Sequence, residues 1–348
     1  MINKTIYLLA AVTVGGIFAW LKVPAGWLLG SILAGIICSF FIIKLYLPNK
    51  LFNVVLAIIG GNIGLMLRPE QFLNYQALIL PFLLTLVTTI AGGLLLGKFL
   101  KRFSNLNHNT AFFCCLPGGA SEVIALSHKY GANEQIVAAF HTTRITLFVL
   151  VIPLVVGMNV SVIGQQNLLL NSSVLLQAIW AILILLVITV ATLFFSQKFT
   201  FPGASLFFAI GLGFTGHILF PSIEVPGFIM GMAQAIMGAI IGIRFDRQSL
   251  LQLKSIGGIS AVTLLIYFLM SLALATIFFL LTPIDWFTSL LGIVAAGAAE
   301  MASTAAALNL DAAMVATLQM ARVLALFLAL PFLIKLFAEK NQTQKSEG

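Results

Sequence analysis

Glu122 and Arg144 stand 22 residues apart, and Glu300 and Arg322 are separated by the same interval. All four lie within apolar runs of a chain in which only 8% of residues are charged. An unpaired charge at the centre of a bilayer costs about 2.5–3.5 kcal/mol on insertion scales. Four such charges point to a site that binds a charged solute or relays protons, to Glu–Arg salt bridges that lock neighbouring segments, or to both. Glu122 follows the helix-breaking run Leu116-Pro117-Gly118-Gly119. That places it in the first turn of a half-helix, where the helix dipole favours a carboxylate. The free amides from Gly119 to Ser121 suit an anionic ligand equally well. Arg144 lies 11 residues past a cap candidate, Asn133, or about 16 Å along its helix and near mid-bilayer. His141 sits one turn earlier on the same face. It is suited to titration near neutral pH, or to simple hydrogen-bonded packing.

Those residues must be positioned by membrane helices. Hydrophobic residues make up 61% of the 348, whereas soluble domains carry about 25% charged residues. The chain therefore cannot cover a water-facing surface of its size, and its apolar runs match a bilayer core. The net charge of +8 forms no basic stripe, so nucleic acid is not an expected partner. Cys38, Cys114 and Cys115 are odd in number and sit in apolar runs, which argues against a disulfide framework. Met1 to Trp20 could pass for a signal peptide. Pro24 and membership of the repeat described next favour a first membrane helix instead.

Sliding the sequence by 178 residues aligns its two halves without a gap. Pro24 falls on Pro202, Gly35 on Gly213, Gly64 on Gly242, Glu122 on Glu300, Arg144 on Arg322 and Pro153 on Pro331. Matches at Gly, Pro, Glu and Arg are not what two unrelated apolar sequences would share, so the chain reads as one unit written twice. Each half holds six apolar segments, roughly 4–21, 25–47, 51–67, 75–100, 110–127 and 134–157, then 176–196, 203–221, 227–243, 256–281, 286–306 and 312–337. The fifth of each is broken, at Pro117-Gly118-Gly119 and around Gly297. The expected organisation is a first membrane repeat over 1–157, an external linker over 158–175, a second repeat over 176–337 and a cytoplasmic tail over 338–348.

Lys and Arg select the topology. If all six segments of each half cross, nine loop Lys/Arg fall on one side and seven on the other. If the fifth segment dips in and returns, each half crosses five times and the second half is inverted. Fourteen Lys/Arg then lie inside and only Lys22 and Arg68 outside, which obeys the positive-inside rule. The expected fold is an all-α polytopic membrane protein of two inverted repeats, each about five transmembrane helices plus one broken, re-entrant segment. Both termini face the cytoplasm of a bacterial-type cytoplasmic membrane. The two breaks enter from opposite faces and meet near the midplane, where irregular backbone is tolerated only in protein or beside a wet cavity.

The second copy supplies Gly297, Glu300, Gln319 and Arg322 as counterparts of Gly119, Glu122, His141 and Arg144. Ser121 faces Ala299 and Pro117 faces Ala295, so the half-sites are unequal and the first carries more of the chemistry. Gly60 to Gly64 and Gly238 to Gly242 are small-xxx-small motifs, best read as tight helix crossings. Within the first, Asn62 is a further candidate for solute contact. The candidate solute- or ion-binding set is thus Asn62, Gly118, Gly119, Ser121, Glu122, His141, Arg144, Gly297, Glu300, Gln319 and Arg322. No catalytic residue, metal or cofactor is expected. Gly92 to Lys98 approaches a phosphate loop, but Phe99 stands where Ser or Thr is needed. Four histidines and three cysteines show no metal-ligand spacing.

The run Leu116-Pro117-Gly118-Gly119-Ala120-Ser121-Glu122, the later Arg144, their repetition at Glu300 and Arg322, and Val23-Pro24-Ala25-Gly26-Trp27-Leu28-Leu29-Gly30 resemble the AbrB-type membrane protein family. The resemblance covers essentially the whole chain and implies the internal duplication. Members of that family carry names of an ammonia monooxygenase or a regulator of gene expression. These residues offer neither a metal-ligand cluster nor a DNA-binding domain. The five-plus-one inverted plan also resembles the cation–proton antiporter and anion transporter superfamily, an analogy of fold alone.

The expected function is secondary transport of a small charged solute, with proton or ion coupling carried by the glutamates. Two other readings stand beside it: a membrane sensor that affects gene expression through a partner, and a metal-dependent membrane monooxygenase. Gly-rich faces permit a homodimer without requiring one. Single cysteines introduced at positions 107 and 309 are expected to react with impermeant reagent from opposite sides of the membrane. Reaction of both from one side contradicts the inverted arrangement.

Overall fold

Proline and glycine punctuate this chain, and helices make up most of the described residues between them. The computed structural model describes residues 4–41, 45, 47–69, 75–157, 172–199, 201, 203–221, 223 and 225–338. All regular structure among them is helical. The first copy contains α1 (Lys4–Trp20), α2 (Gly26–Phe41), α3 (Asn49–Met66), α4 (Ile79–Phe103, entered through a 3-10 turn at Tyr75–Leu78), α5 (His108–Cys115), α6 (Ala120–Lys129) and α7 (Glu134–Gly157). The second contains α8 (Ser172–Lys198), α9 (Ala204–Leu219), α10 (Gly227–Arg244), α11 (Arg247–Ile256), α12 (Gly258–Leu281), α13 (Trp286–Ile293), α14 (Ala298–Ala307) and α15 (Ala312–Phe337).

The 178-residue offset recurs in the helix bounds. α2 and α9, α3 and α10, α5 and α13, and α6 and α14 begin and end at matching positions. The caps recur too. Asn107 accepts the Thr110 amide at the start of α5, and Asp285 accepts the Thr288 amide at the start of α13. Asn133 and Asp311 do the same for Ile136 and Met314 at the starts of α7 and α15. Each cap gives one otherwise orphaned N–H a partner.

Seven described helices are long and apolar enough to cross a membrane, and α1, α2 and α9 are shorter apolar helices. Leu80, Leu280 and Phe332 are 78%, 73% and 75% exposed, as side chains facing lipid would be. Both expected breaks are present, at residues 116–119 between α5 and α6 and at 294–297 between α13 and α14. Within the expected 25–47 segment α2 is described from Gly26 to Phe41; residues 42–44 and 46 lie outside the described residues. α8 begins at Ser172, inside the stretch read as linker; residues 158–171 of that linker and 339–348 of the tail lie outside the described residues. α11 was not expected. Asp246 caps it through the Ser249 amide, and it packs on α7 before Gly257, at φ +86°, turns the chain into α12.

Contacts sort the helices into two bundles, each built from matching parts of both copies. α1, α2, α3, α8, α9 and α10 form one; α4 to α7 and α11 to α15 form the other. In the first bundle the copies exchange partners: α2 packs on α10, and α9 on α3. Glycine sets the closeness of both crossings. A Cβ on Gly35 would lie 2.8 Å from the Gly242 Cα, and a Cβ on Gly64 would lie 2.8 Å from the Gly213 Cα and overlap the Ile210 carbonyl. Such backbone approach is the means of helix association where lipid removes the hydrophobic drive. α2 and α10 run the same way, since Leu28 meets Gly238 and Gly35 meets Gly242. α3 packs on α10 in the opposite sense, with Phe52 at the start of α3 beneath Arg244 at the end of α10.

Gly92 to Lys98 belongs to this packing. A Cβ on Gly93 would come within 2.7 Å of the Cys115 carbonyl and of Pro117, so α4 lies directly against the first break. Gly64→Val is expected to lower stability by about 1–3 kcal/mol or more, as overpacking does, read as the thermal unfolding midpoint of the detergent-purified protein. Gly211→Ala, on an exposed face of α9 with nothing near its new methyl group, is expected to leave that midpoint unchanged or raise it.

Candidate functional site

Each break creates orphaned backbone groups in a setting without bulk water. The last carbonyls of the first half-helix and the first amides of the second lose their helical partners. In the second copy side chains of α15 meet four of the carbonyls, those of Leu291, Ile293, Val294 and Ala296. The Arg322 guanidinium donates from Nη1 to the Ile293 carbonyl at 3.0 Å and to that of Val294, and from Nη2 to Ala296 at 3.1 Å. Gln319 donates to the Leu291 and Val294 carbonyls at 2.6 and 3.1 Å, and its Oε1 accepts from Arg322. A cation is therefore seated at the negative end of half-helix α13. At the start of α14, Glu300 occupies the third position and its carboxylate folds back over the cap residue; a Cβ on Gly297 would overlap Glu300 Oε2. Among the described residues no ion pair joins Glu300 to Arg322, so the salt-bridge lock read from the sequence is replaced by an arginine–carbonyl lock.

The first copy uses the same frame and leaves it open. His141 Nε2 lies 2.9 Å from the Phe113 carbonyl, the counterpart of Leu291, and Nδ1 lies 3.2 Å from Arg144 Nη2. Arg144 can only donate and the carbonyl only accept. The imidazole is therefore neutral, with its proton on Nε2. It does what Gln319 does: it ties the short helix to the long one and holds the arginine. The Arg144 side chain then departs from its counterpart. It is 2% exposed, its guanidinium lies 4.8 Å from the centre of the Tyr267 ring, and its Nε and Nη1 have no hydrogen-bond partner among the described residues.

Both breaks line one cavity of about 230 Å3 between the two bundles. Gly118, Gly119, Arg144, Gly297, Glu300 and Arg322 line it. The other bundle supplies its far wall through Phe52, Leu56, Leu206 and Arg244. Three sequence candidates sit elsewhere. His141 and Gln319 are fully buried behind the arginines they position, and Asn62 is buried within α3, with its amide toward Met66 Sδ at 3.8 Å. The side chains of Ser121 and Glu122 lie outside the described residues; the backbone of α6 places Glu122 at the third position of its first turn, as Glu300 is in α14.

Arg244 was missed. At the end of an apolar run it reads as a charge that marks the membrane surface. In the folded chain its guanidinium lies 4.9 Å from the centre of the Phe52 ring and lines a second cavity of about 450 Å3 as well. Polar side chains of α7 and α11, among them Gln135, Thr142, Ser249 and Gln252, line that second cavity with the capping Asp246. The three cysteines are buried and free. Among the described residues no three His, Cys, Asp or Glu side chains are grouped to hold a metal ion.

Long apolar helices, two interrupted helix pairs and a cavity holding buried guanidiniums define a multi-pass helical membrane protein. The chain belongs to the AbrB family: the family model described as "Transition state regulatory protein AbrB" matches residues 27–338. It is 28% identical over 333 residues to the Escherichia coli (strain K12) protein named "Putative regulator AbrB", covering 90% of each chain. It is 27% identical over 290 residues to the Bacillus subtilis (strain 168) "Uncharacterized protein YhjN", covering 75% of this chain and 72% of that one. Neither of these relatives is named as an enzyme.

His141→Gln is expected to leave the thermal midpoint close to that of the parent protein, because the second copy already performs the task with Gln319. His141→Leu orphans the Phe113 carbonyl and is expected to cost about 1–3 kcal/mol. Equal losses in the two variants, measured by thermal unfolding, contradict the bridging role.

Proposed function

We propose that this protein is a secondary transporter of a small charged solute, with the cavity between the two bundles as its solute site. One observation carries the reading: the broken helices of both copies converge on a single cavity that holds buried cationic side chains. Half-helix ends at a repeat interface are the usual means by which transporters present polar backbone to a solute, and rocking of one bundle against another alternates its access. The inverted-repeat plan belongs to the same proposal. It is supported by the opposite senses of the counterpart helices α3 and α10 and by the partner exchange at the glycine crossings. With five crossings per copy, both termini lie on the cytoplasmic side of a bacterial cytoplasmic membrane, and the 450 Å3 cavity opens toward that side. Glu122 and Glu300 are the groups available to couple transport to protons. The protein works alone or as a homodimer.

The names of the family and of the Escherichia coli relative favour a second reading, in which the protein regulates through a partner. The two are separated by reconstitution. In proteoliposomes, a panel of organic and inorganic ions is expected to include a solute whose gradient drives protein-dependent flux. Arg144→Gln is expected to abolish that flux while the protein still inserts. Unchanged flux in the variant removes Arg144 from the solute path. Specific binding of a soluble partner without flux of any solute supports regulation instead.

A further inference from the structure

The two half-sites have the same frame and opposite states of satisfaction. Around the second break, every donor of the Arg322 guanidinium end is turned to a backbone carbonyl or to Gln319, and the Glu300 carboxylate folds back over Gly297 at the start of α14. Around the first break, Arg144 donates to His141 alone through Nη2, while Nε and Nη1 carry N–H groups that meet no acceptor among the described residues. A guanidinium 2% exposed cannot leave these donors to bulk water. A buried donor without a partner costs about 1–3 kcal/mol, and more when charged. The same wall of the cavity presents Gly118, Gly119 and Ala120 at the start of α6. There the backbone amides have no helical acceptor and the dipole favours negative charge. Arg244 adds a third cation at the junction with the polar 450 Å3 cavity.

We infer that the first break is a binding site for a small oxyanion, held by the Arg144 donors that have no partner among the described residues and by the opening amides of α6, with Arg322 acting as a structural lock and not as a ligand. The inference rests on the solute-site reading of the cavity and adds the chemical class and the half that binds. An oxyanion supplies several acceptor atoms to donors that have none, and it matches the excess of guanidinium charge. Arg244, stacked on Phe52, stands where an anion passes between the two cavities.

The test uses the purified full-length protein in detergent, titrated with acetate, sulfate or phosphate, with sodium chloride at equal ionic strength as the reference. At least one probe is expected to raise the unfolding midpoint saturably, by about 3 °C or more. Arg144→Gln is expected to weaken that response at least about tenfold. Val323→Trp fills the cavity and leaves every charge in place, so it is expected to do the same even if the arginine variant does not fold. Dioctanoyl phosphatidic acid separates a lipid headgroup from a free anion. Three results overturn the inference: no saturable response to any free anion, a response retained in the folded variants, or stabilisation by the lipid alone. Anion binding without flux leaves this site standing and removes the transport reading. Flux of a solute without any anion response does the reverse.

Discussion

Interrupting a helix inside a bilayer leaves backbone groups that lipid cannot satisfy, and most of this molecule is arranged around that constraint. Each break severs a helix at about mid-length and exposes carbonyls on one side and amides on the other. The long helix that follows each break answers with a pair of side chains three residues apart, His141 with Arg144 and Gln319 with Arg322. Such spacing puts both on one face, toward the short helix. The apolar packing of α5 against α4, and of α13 against α12, then closes the rest of the surround.

A second constraint is distance. Breaks from two separate copies share one cavity, and the first three helices of each copy interlock to form its far wall. The glycine crossings of α2 with α10 and of α3 with α9 bring backbones together more closely than any side chain would allow. This interlocked bundle forms one wall of the cavity. The bundle carrying the breaks forms the other, with few direct ties between them, such as the Gln234 side chain to the Ser303 carbonyl at 3.1 Å. The cavity lined from both bundles is mostly apolar and holds Arg144, Arg244, Glu300 and Arg322.

Duplication gave the two half-sites one frame, and small differences set them apart. Gln for His preserves the bridge, because one donor and one acceptor are all it requires. The arginines are the same residue, yet one is held by carbonyls and Gln319 and the other lies near Tyr267 with Nε and Nη1 unpartnered among the described residues. Position 267 corresponds to Thr89 in the first copy, so that ring has no aromatic counterpart to act on Arg322.

Local features of the fold were legible in the sequence, because helix starts, stops and caps depend on residues within a turn of one another. Pro117, Gly118 and Gly119 marked one break and Gly297 the other; Asn133 marked a cap; the 178-residue offset predicted matching helices at matching positions. α11 was overlooked because it is short and amphipathic, with Leu250, Leu251, Leu253 and Ile256 among polar residues, and follows an apolar run, although Asp246 and Ser249 carried a cap signal. What the sequence could not determine was which surfaces meet. Spacing identified Gly64 and Gly242 as crossing points, but only the fold chose Gly213 and Gly35 as their partners, in the other copy. Spacing likewise put Glu and Arg at equal intervals and suggested ion pairs. In the second copy the tertiary structure instead gave Arg322 to backbone carbonyls; it also left two Arg144 donors without a partner among the described residues and brought Arg244 from a helix end into the cavity wall. Long-range packing decides such pairings, through the shapes of helices far apart in the chain, and no local pattern encodes it.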